Sequence, residues 1–354
     1  MAAPVDRTCH DDPDPRPPRR PALSVKLLLR VAGWTIVLAL PRFAHQHPDS
    51  PYYLSLAGYL GGDVAFQDLE NPFTYRLLVP FLVSLMPEDM RIFGFAVVGI
   101  LCLIAGYFVC ALLYREIFET ENDVRLAIFL LVFSFPSINY SSGLTTDAAG
   151  FLFFSLMIYF MYMERWILFI LSATIGVLAR DPTLSMVAPA ALVIFSRHYK
   201  DSIIKYMPLI LVVVLFPVLV HLAVREYFSD LGNYYWYFSL PEFLGNITRP
   251  TSLITTGATV LPLAALLVLG LRRNGLKALA AVPGEQRLLF VTVIGLQGLI
   301  AIATVFSVYM SGRYFWPLYV LAVPLVVLAI RGTKVDAWLR KLSDAWLGAG
   351  NAPA

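Results

Sequence analysis

The chain has 354 residues, of which 58% are hydrophobic and 14% are charged, and its formal net charge is +3. Soluble domains carry about 25% charged residues, so this composition excludes an ordinary water-soluble domain, and the small net charge does not favour nucleic-acid binding. Apolar runs long enough for the ~20 residues of a membrane-spanning helix recur along the chain. We therefore predict an all-α membrane domain at residues 22–330, surrounded by membrane lipids.

The two ends of the chain differ in composition from the rest. Residues 1–21 are rich in proline and charge, which predicts a disordered tail. The apolar run that follows ends in Pro41-Arg42-Phe43 without a small-residue cleavage site, so we interpret it as an uncleaved first helix and not as a signal peptide. Residues 331–354 are interpreted as a second tail, on the cytoplasmic side.

Ten apolar segments predict a transmembrane bundle of about ten helices. They lie at residues 22–42, 92–114, 125–139, 146–163, 166–179, 182–196, 203–227, 252–271, 288–309 and 313–330. With a cytoplasmic amino terminus, this topology places 20 of the 27 Lys and Arg residues on the inner side, as the positive-inside rule requires. The sequence thus predicts a multi-pass protein of the cell inner (plasma) membrane, with both termini in the cytoplasm.

Two outer connections carry features of their own. In the first, residues 43–90, the stretch from Thr74 to Met86 is apolar but too short to span, which predicts an interfacial or re-entrant segment. The second contains five consecutive aromatic residues at 234–238. They are suited to anchoring the loop at the lipid headgroups, and a sugar-stacking surface is the alternative.

The remaining ionisable residues concentrate at the predicted outer ends of the helices. They are Asp49, Arg76, Asp147, Arg180, Asp181 and Arg313. Ionisable groups near hydrocarbon are costly, and they tend to face a polar cavity or to pair with one another, so we expect these six to share one extracytoplasmic pocket. Ordinary interfacial charges would give the same pattern, and this alternative stays open.

Asp49 follows the first helix, in the sequence HPDSPYY. A carboxylate at this position could be a general base that deprotonates an acceptor hydroxyl, or it could cap an interfacial helix that begins near Pro51. Together with His45 and His47 it could also gather ligands for a divalent ion, although paired histidines near a membrane are common without any metal. We predict no metal site and no cofactor.

The other charged residues also have two interpretations each. Asp147 begins the fourth helix, where it could be an acidic N-cap or a contact for a substrate hydroxyl. Arg313 opens the last helix, where a cation is unfavourable unless an anion is nearby, and this favours a phosphate contact over snorkelling. Arg76 and Arg180 could complete an anion site with Arg313, while snorkelling would explain Arg76 alone.

These motifs resemble those of the GT-C superfamily of polytopic glycosyltransferases in their order along the chain and in their predicted location on one side of the membrane. Members of this superfamily use polyprenyl-phosphate sugar donors at the outer face of the membrane. The matching pieces are Asp49 before Tyr52 and Tyr53, FTYRLLVP at 73–80, Thr146-Asp147, the turn ARDPT at 179–183, and Gly312-Arg313-Tyr314. The resemblance implies an inverting transfer of a sugar to a glycan, lipid or protein acceptor, with Asp49 as the catalytic base. It implies substrate-binding roles for Tyr52, Tyr53, Arg76, Asp147, Arg180, Asp181, Arg313 and Tyr314.

The chain departs from the GT-C pattern in two respects. It is short and has no large soluble carboxyl-terminal domain, and its first loop lacks the adjacent acidic pair of metal-using members. The second departure favours a polyprenyl monophosphate donor without a required ion. A carrier or flippase of a lipid-linked saccharide is the alternative function, since it would use the same basic cavity without bond breaking. The two halves show no inverted repeat of hydropathy, which favours the enzyme.

Overall fold

The computed structural model describes residues 23–43, 46–140, 143–199, 203–232, 238–307 and 311–348. The structure is 84% helical, and no strand occurs in these ranges. The fifteen α-helices of the described residues are α1 Val25–Ala39, α2 Ser50–Gly61, α3 Leu78–Ser84, α4 Arg91–Ile117, α5 Glu121–Val132, α6 Phe135–Tyr140, α7 Asp147–Tyr162, α8 Trp166–Ala179, α9 Val187–His198, α10 Met207–Tyr227, α11 Leu240–Thr248, α12 Pro250–Asn274, α13 Gly284–Ser307, α14 Tyr319–Ile330 and α15 Lys334–Leu347. The predicted disordered tail, His45 and the aromatic residues 234–237 lie outside the described residues.

Five helical segments are long and apolar enough to cross a membrane. They are Glu88–Ile117, Ile203–Tyr227, Pro250–Asn274, Gln286–Phe306 and Gly312–Ile330. The predicted all-α class is confirmed, but a count of about ten spanning helices is not. The first predicted span is an example: α1 has 15 residues and is continued by the 3₁₀ turn Leu40–Arg42, but this segment carries the charges of Lys26, Arg30 and Arg42.

Some boundaries also differ from the prediction. The predicted helix at 125–139 is divided into α5 and α6, because the backbone leaves the helical path at Phe133 and Pro136 cannot donate a backbone hydrogen bond in the first turn of α6. The first long connection contains α2 and α3, and α3 falls within the apolar stretch that is too short to span. The segment interpreted as a carboxyl-terminal tail contains α15.

The core of the bundle is built around α7. It is apolar over almost its whole length, and 11 of its 16 residues are buried, as expected for a helix enclosed by others. It packs against α4 and α8. By contrast, α10 buries only Val213 and Pro217 among its 21 residues, so most of its apolar surface faces outward. Such an exposed apolar face suits lipid rather than water.

Ion pairs attach α15 to the rest of the bundle. The buried carboxylate of Asp123 on α5 lies 2.8 Å from Arg331 and 2.6 Å from Arg340. Arg125, also on α5, lies 3.0 Å from Asp344. The segment after α14 is therefore a docked amphipathic helix as far as Gly348, where the described residues end.

Helices α12 and α14 pack closely against each other at Gly270. A Cβ atom at this position would lie 2.5 Å from the carbonyl carbon of Ala329 and 2.6 Å from its oxygen. The Asn274 amide donates hydrogen bonds to the carbonyls of Ala329 (2.8 Å) and Arg331 (2.9 Å) one turn further on. Small residues permit such close backbone packing in membrane bundles.

We predict that Gly270→Ala lowers the thermal stability of the purified protein in detergent, because the added methyl group meets backbone that cannot move aside. Overpacking of this kind costs about 1–3 kcal/mol. Gly257→Ala on the same helix is the matched control, since its only neighbour within 4 Å is a side-chain atom of Leu261 at 3.6 Å. The control gains up to about 1 kcal/mol of helix propensity. Equal melting temperatures for the two variants would contradict this account of the α12–α14 contact.

Candidate functional site

Six ionisable side chains come together at one end of the bundle, and we call this group the ionic array. Its members are Asp49, Arg76, Asp147, Arg180, Asp181 and Arg313. Nη1 of Arg313 lies 2.8 Å from Oδ2 of Asp49 and 3.9 Å from Oδ2 of Asp147. Nη1 of Arg180 lies 2.8 Å from Oδ1 of Asp147. Arg313 therefore joins two carboxylates from distant parts of the sequence.

Asp147 and Arg180 meet because α7 begins where α8 ends. Asp147 is the first residue of α7, and Arg180 directly follows the last residue of α8. A helix N-terminus favours an anion and a C-terminus favours a cation, so each side chain lies at the helix end that stabilises it. Both side chains are only 6% exposed. The structure does not support the N-cap interpretation of Asp147, because Thr146 holds that position and the carboxylate pairs with Arg180 instead.

Asp49 occupies the N-cap position of α2, but its side chain makes no capping hydrogen bond. Its carboxylate instead pairs with Arg313 and lies 3.5 Å from Nδ1 of His47. Burial raises the pKa of Asp49, but the hydrogen bond with His47 and the charge of Arg313 outweigh burial and hold this pKa well below its usual value. Asp49 is therefore ionised at neutral pH and is neutralised by Arg313.

Arg76 and Asp181 form the second part of the array. Nε of Arg76 lies 3.5 Å from Oδ2 of Asp181, and the guanidinium also donates a hydrogen bond to the hydroxyl of Tyr53. The guanidinium carbon lies 5.9 Å from the ring centre of Phe73, on which Tyr52 stacks at 4.4 Å. Tyr52 therefore contacts the array through Phe73. Snorkelling does not describe Arg76, whose side chain is 13% exposed and paired within the protein.

Tyr314 lies between two of the arginines. Its ring centre is 5.3 Å from the guanidinium carbon of Arg313 and 5.8 Å from that of Arg180, so the ring contacts both cations. Nη2 of Arg313 also lies 3.4 Å from the Tyr314 hydroxyl. The aromatic ring separates the two positive charges and restrains their positions.

Several buried polar atoms in and near the array have no hydrogen-bond partner among the described residues. They include Nε of Arg76, Arg180 and Arg313, Oδ1 of Asp181, and the hydroxyls of Tyr75, Tyr140, Thr146 and Ser311. Native proteins leave few such atoms unsatisfied, and each one requires an explanation, such as a bound ligand or water. Nε of Arg91, Arg115 and Arg125, outside the array, lacks a partner as well, so unpaired Nε atoms alone do not mark a site. The presence of three guanidinium groups in one array is what suits an anion with several oxygens.

An apolar cleft between α12, α13 and α14 begins next to the array. A cavity of about 200 Å³ is lined by Thr259 and Phe315 at the end nearest the array. A second cavity, of about 440 Å³, extends to Arg287. Ile294 and Leu325 line both cavities, which are therefore neighbours along α13 and α14. The walls are almost entirely apolar, so the cleft suits a hydrocarbon chain.

Part of this site was not predicted from the sequence. The hydroxyl groups of Tyr140, Thr259 and Ser311 were not singled out, although Tyr140 and Thr259 lie directly against Gly312. A Cβ atom at Gly312 would overlap the Thr259 hydroxyl and would lie 2.8 Å from that of Tyr140. The sequence does contain a pattern that indicates a polar face on α12, since hydroxyl residues occur at 252, 255, 256 and 259, the spacing of one helix face.

The array presents three guanidinium groups, each paired with a carboxylate, and its groups are of the types that bind anions or accept protons. Within the described ranges, no three His, Cys, Asp or Glu side chains are placed to hold a metal ion together. Comparison of the chain with protein-family models, with curated protein sequences and with solved structures finds no match. A functional assignment therefore depends on the sequence motifs and on the geometry of this site.

We predict that Arg180→Met strongly destabilises the protein, because it leaves the buried Asp147 carboxylate without its nearest cation. Removing one partner of a buried ion pair costs about 3–5 kcal/mol. The double variant Arg180→Met/Asp147→Asn should recover much of this loss, since it removes both charges. Unfolding of the wild type, both single variants and the double variant in detergent measures the coupling. Additive losses in the double variant would show that the pair is not coupled.

Proposed function

We propose that this chain is a membrane glycosyltransferase that moves a sugar from a polyprenyl-phosphate carrier to a glycan, lipid or protein acceptor. The observation that carries the proposal is the position of Arg313, a buried guanidinium that contacts the carboxylate of Asp49 close to the start of an apolar cleft. A lipid-linked phosphate requires cationic donors for its oxygens and an apolar surface for its chain. The ionic array and the cleft are suited to these two requirements.

The order of the motifs along the chain also supports this proposal, because it resembles that of the GT-C superfamily. On that resemblance the array faces the extracytoplasmic side of the membrane, where the lipid-linked donor and the acceptor meet. The five helices that are long enough to span a membrane are consistent with such a protein. The chain then needs no soluble nucleotide-sugar donor, since the carrier lipid delivers the sugar within the membrane.

The donor phosphate binds at the arginines. The Nε atoms of Arg180 and Arg313 carry N–H groups without an acceptor among the described residues, so phosphate oxygens gain charge-assisted hydrogen bonds there without breaking internal ones. Arg76, whose Nε lies 3.5 Å from Oδ2 of Asp181, adds a further positive charge. Arg313 must in addition exchange part of its contact with Asp49 for the phosphate. Its second carboxylate partner, Asp147 at 3.9 Å, keeps it in place during this exchange.

Asp49 acts as the general base of the transfer. The acceptor oxygen attacks the anomeric carbon of the sugar while Asp49 takes the hydroxyl proton, and the bond from that carbon to the phosphate oxygen breaks. The polyprenyl phosphate leaves with the bonding electron pair, and Arg313 stabilises its negative charge. Attack from the face opposite the phosphate inverts the configuration of the anomeric carbon.

Binding of the phosphate also prepares the base. The Arg313 charge lowers the pKa of Asp49 and so makes the carboxylate a weaker base while the two are paired. A phosphate that engages Arg313 removes part of this effect and adds a nearby negative charge. Both changes raise the affinity of Asp49 for the proton that it must accept.

We predict that Asp49→Asn abolishes transfer and leaves donor binding largely intact, since the substitution removes the base at nearly constant volume. The measurement is transfer of radiolabelled sugar from synthetic polyprenyl-phosphate donors to a membrane extract by the purified protein. Asp63→Asn is the matched control, because Asp63 also pairs with an arginine, Arg91, but lies outside the array. Retained turnover in Asp49→Asn would remove this residue from the mechanism. If the wild type consumes no donor but moves it across proteoliposome membranes, the flippase alternative replaces the enzyme.

We predict that Arg313→Ala weakens donor binding by about 1.5–3 kcal/mol, which is a factor of about 10–150 in the dissociation constant. The reason is the loss of a charge-assisted contact to a buried phosphate. Binding of a fluorescent polyprenyl-phosphate sugar to the protein in nanodiscs measures the effect. Arg313→Lys should bind with intermediate affinity, because an ammonium keeps the charge but loses the planar pair of donors. An unchanged dissociation constant in Arg313→Ala would place the phosphate elsewhere.

A further inference from the structure

Next to the ionic array, four hydroxyl groups from three chain segments are buried and make no hydrogen bond of good geometry among the described residues. They belong to Ser252 and Thr256 on α12, Ser311 before the 3₁₀ turn Gly312–Tyr314, and Tyr140 at the end of α6. We call these four residues the hydroxyl cluster. Ser252 is fully buried, and Ser311 and Tyr140 are 7% and 8% exposed. None of them takes part in the ion pairs of the array. The side-chain hydroxyls of Thr255 and Thr259 are neighbours of the Tyr140 hydroxyl.

The backbone at Gly312 brings the cluster together. A Cβ atom there would lie 2.5 Å from the carbonyl oxygen of Thr255 and 2.8 Å from the Tyr140 hydroxyl, so the turn packs directly on α12 and α6. Ser252 and Thr256 flank Thr255 on the same face of α12, since they are one helical turn apart. The cluster therefore adjoins Arg313, the next residue after Gly312.

Helix geometry does not explain the unpaired hydroxyl of Thr256 on α12. Serine and threonine in an apolar helix usually donate to the carbonyl four residues earlier. Thr255 and Thr259 do so, at 2.8 Å from the carbonyls of Thr251 and Thr255. Thr256 makes no such bond, and Ser252 lies in the first turn of α12, where the helix has no carbonyl four residues earlier. A buried hydroxyl without a partner is unfavourable, so the Thr256 hydroxyl is better explained by a ligand than by helix packing.

We propose that the hydroxyl cluster is a subsite for the hydroxyl groups of a sugar, and this inference rests on the proposed glycosyltransferase function. A hydroxyl both donates and accepts hydrogen bonds and carries no charge, so it complements another hydroxyl better than it complements a phosphate. The arginines of the array have the opposite character. The site is thus divided into a cationic part that binds the phosphate and a neutral part that binds the sugar.

The cluster also fixes the direction in which the sugar extends. Thr259 lines the apolar cleft, and Ser252 lies seven residues closer to the N-terminus of α12, which is about 10 Å along the helix axis. The carrier lipid in the cleft and the sugar at Ser252 are therefore on different sides of the phosphate at Arg313. The bound sugar belongs either to the donor or to a glycan acceptor, and the chemistry of recognition is the same for both.

The test compares two ligands, polyprenyl phosphate with and without its sugar. Dissociation constants are measured for the full-length protein in nanodiscs, for the wild type and for Tyr140→Phe, Ser252→Ala, Ser311→Ala and the triple variant. We expect each single substitution to weaken binding of the sugar-loaded carrier about 2- to 10-fold, the worth of one hydrogen bond. Binding of the bare carrier should not change. Thr292→Val on α13 is the control, since that hydroxyl is satisfied by the Leu288 carbonyl.

Thermal stability separates a binding role from a structural one. Because the Ser252 and Ser311 hydroxyls make no hydrogen bond among the described residues, their removal should leave the melting temperature of the ligand-free protein unchanged or raise it. A lower melting temperature together with equal losses for both carriers would show that the cluster supports the fold, and it would overturn the proposal.

The remaining outcomes show whether the bound sugar belongs to the donor or to the acceptor, and they show which of the two proposals fails if one does. Loss of affinity for the sugar-loaded carrier assigns the cluster to the donor sugar. An unchanged donor affinity with a raised KM for a glycan acceptor assigns it to the acceptor. If the wild type transfers sugar and all variants keep the wild-type constants for donor and acceptor, the subsite is wrong and the glycosyltransferase stands. If the wild type neither transfers sugar nor binds either carrier, both proposals fail.

Discussion

The contact of Arg313 with two carboxylates is the interaction on which the rest of the site depends. A guanidinium that is 12% exposed at the end of an apolar bundle is costly unless its charge is neutralised, and Asp49 and Asp147 provide this. Asp147 is held in turn by Arg180. Segments far apart in the sequence are thereby fixed around one cation. An anionic ligand meets donors that are already oriented, which is the condition for strong electrostatic stabilisation.

Part of the site was predictable from the sequence because placing an ionisable group near hydrocarbon costs free energy. Asp49, Asp147, Arg180 and Arg313 stood out because ionisable groups near hydrocarbon require a partner, and the structure pairs them with one another. The helical fold was predictable for a similar reason, since apolar segments in lipid must satisfy their own backbone hydrogen bonds. The anion-site interpretation of Arg313 came from its predicted position at the start of the last helix, but the structure places Arg313 in the 3₁₀ turn Gly312–Tyr314 and begins α14 at Tyr319. That interpretation is still a hypothesis.

Features that depend on tertiary packing were not predictable. Hydropathy identifies apolar residues but not helix ends, so it joined α5 to α6 and extended α1 beyond its 15 residues. The docking of α15 depends on Asp123, whose partners follow it by about two hundred residues. The sequence also did not indicate which residue each member of the array pairs with. Nor did it indicate the hydroxyl cluster, since single hydroxyls such as those of Tyr140 and Ser311 are common and carry no charge. Only their burial without partners marks them.

The most direct test of the central claim is an electron cryomicroscopy structure of the protein in lipid nanodiscs with a polyprenyl-phosphate sugar bound. We expect the phosphate oxygens within hydrogen-bond distance of Arg313, the lipid chain in the cleft between α12 and α14, and the Asp49 carboxylate released from Arg313. A structure in which the phosphate lies elsewhere, while Nη1 of Arg313 remains 2.8 Å from Oδ2 of Asp49, would contradict the account.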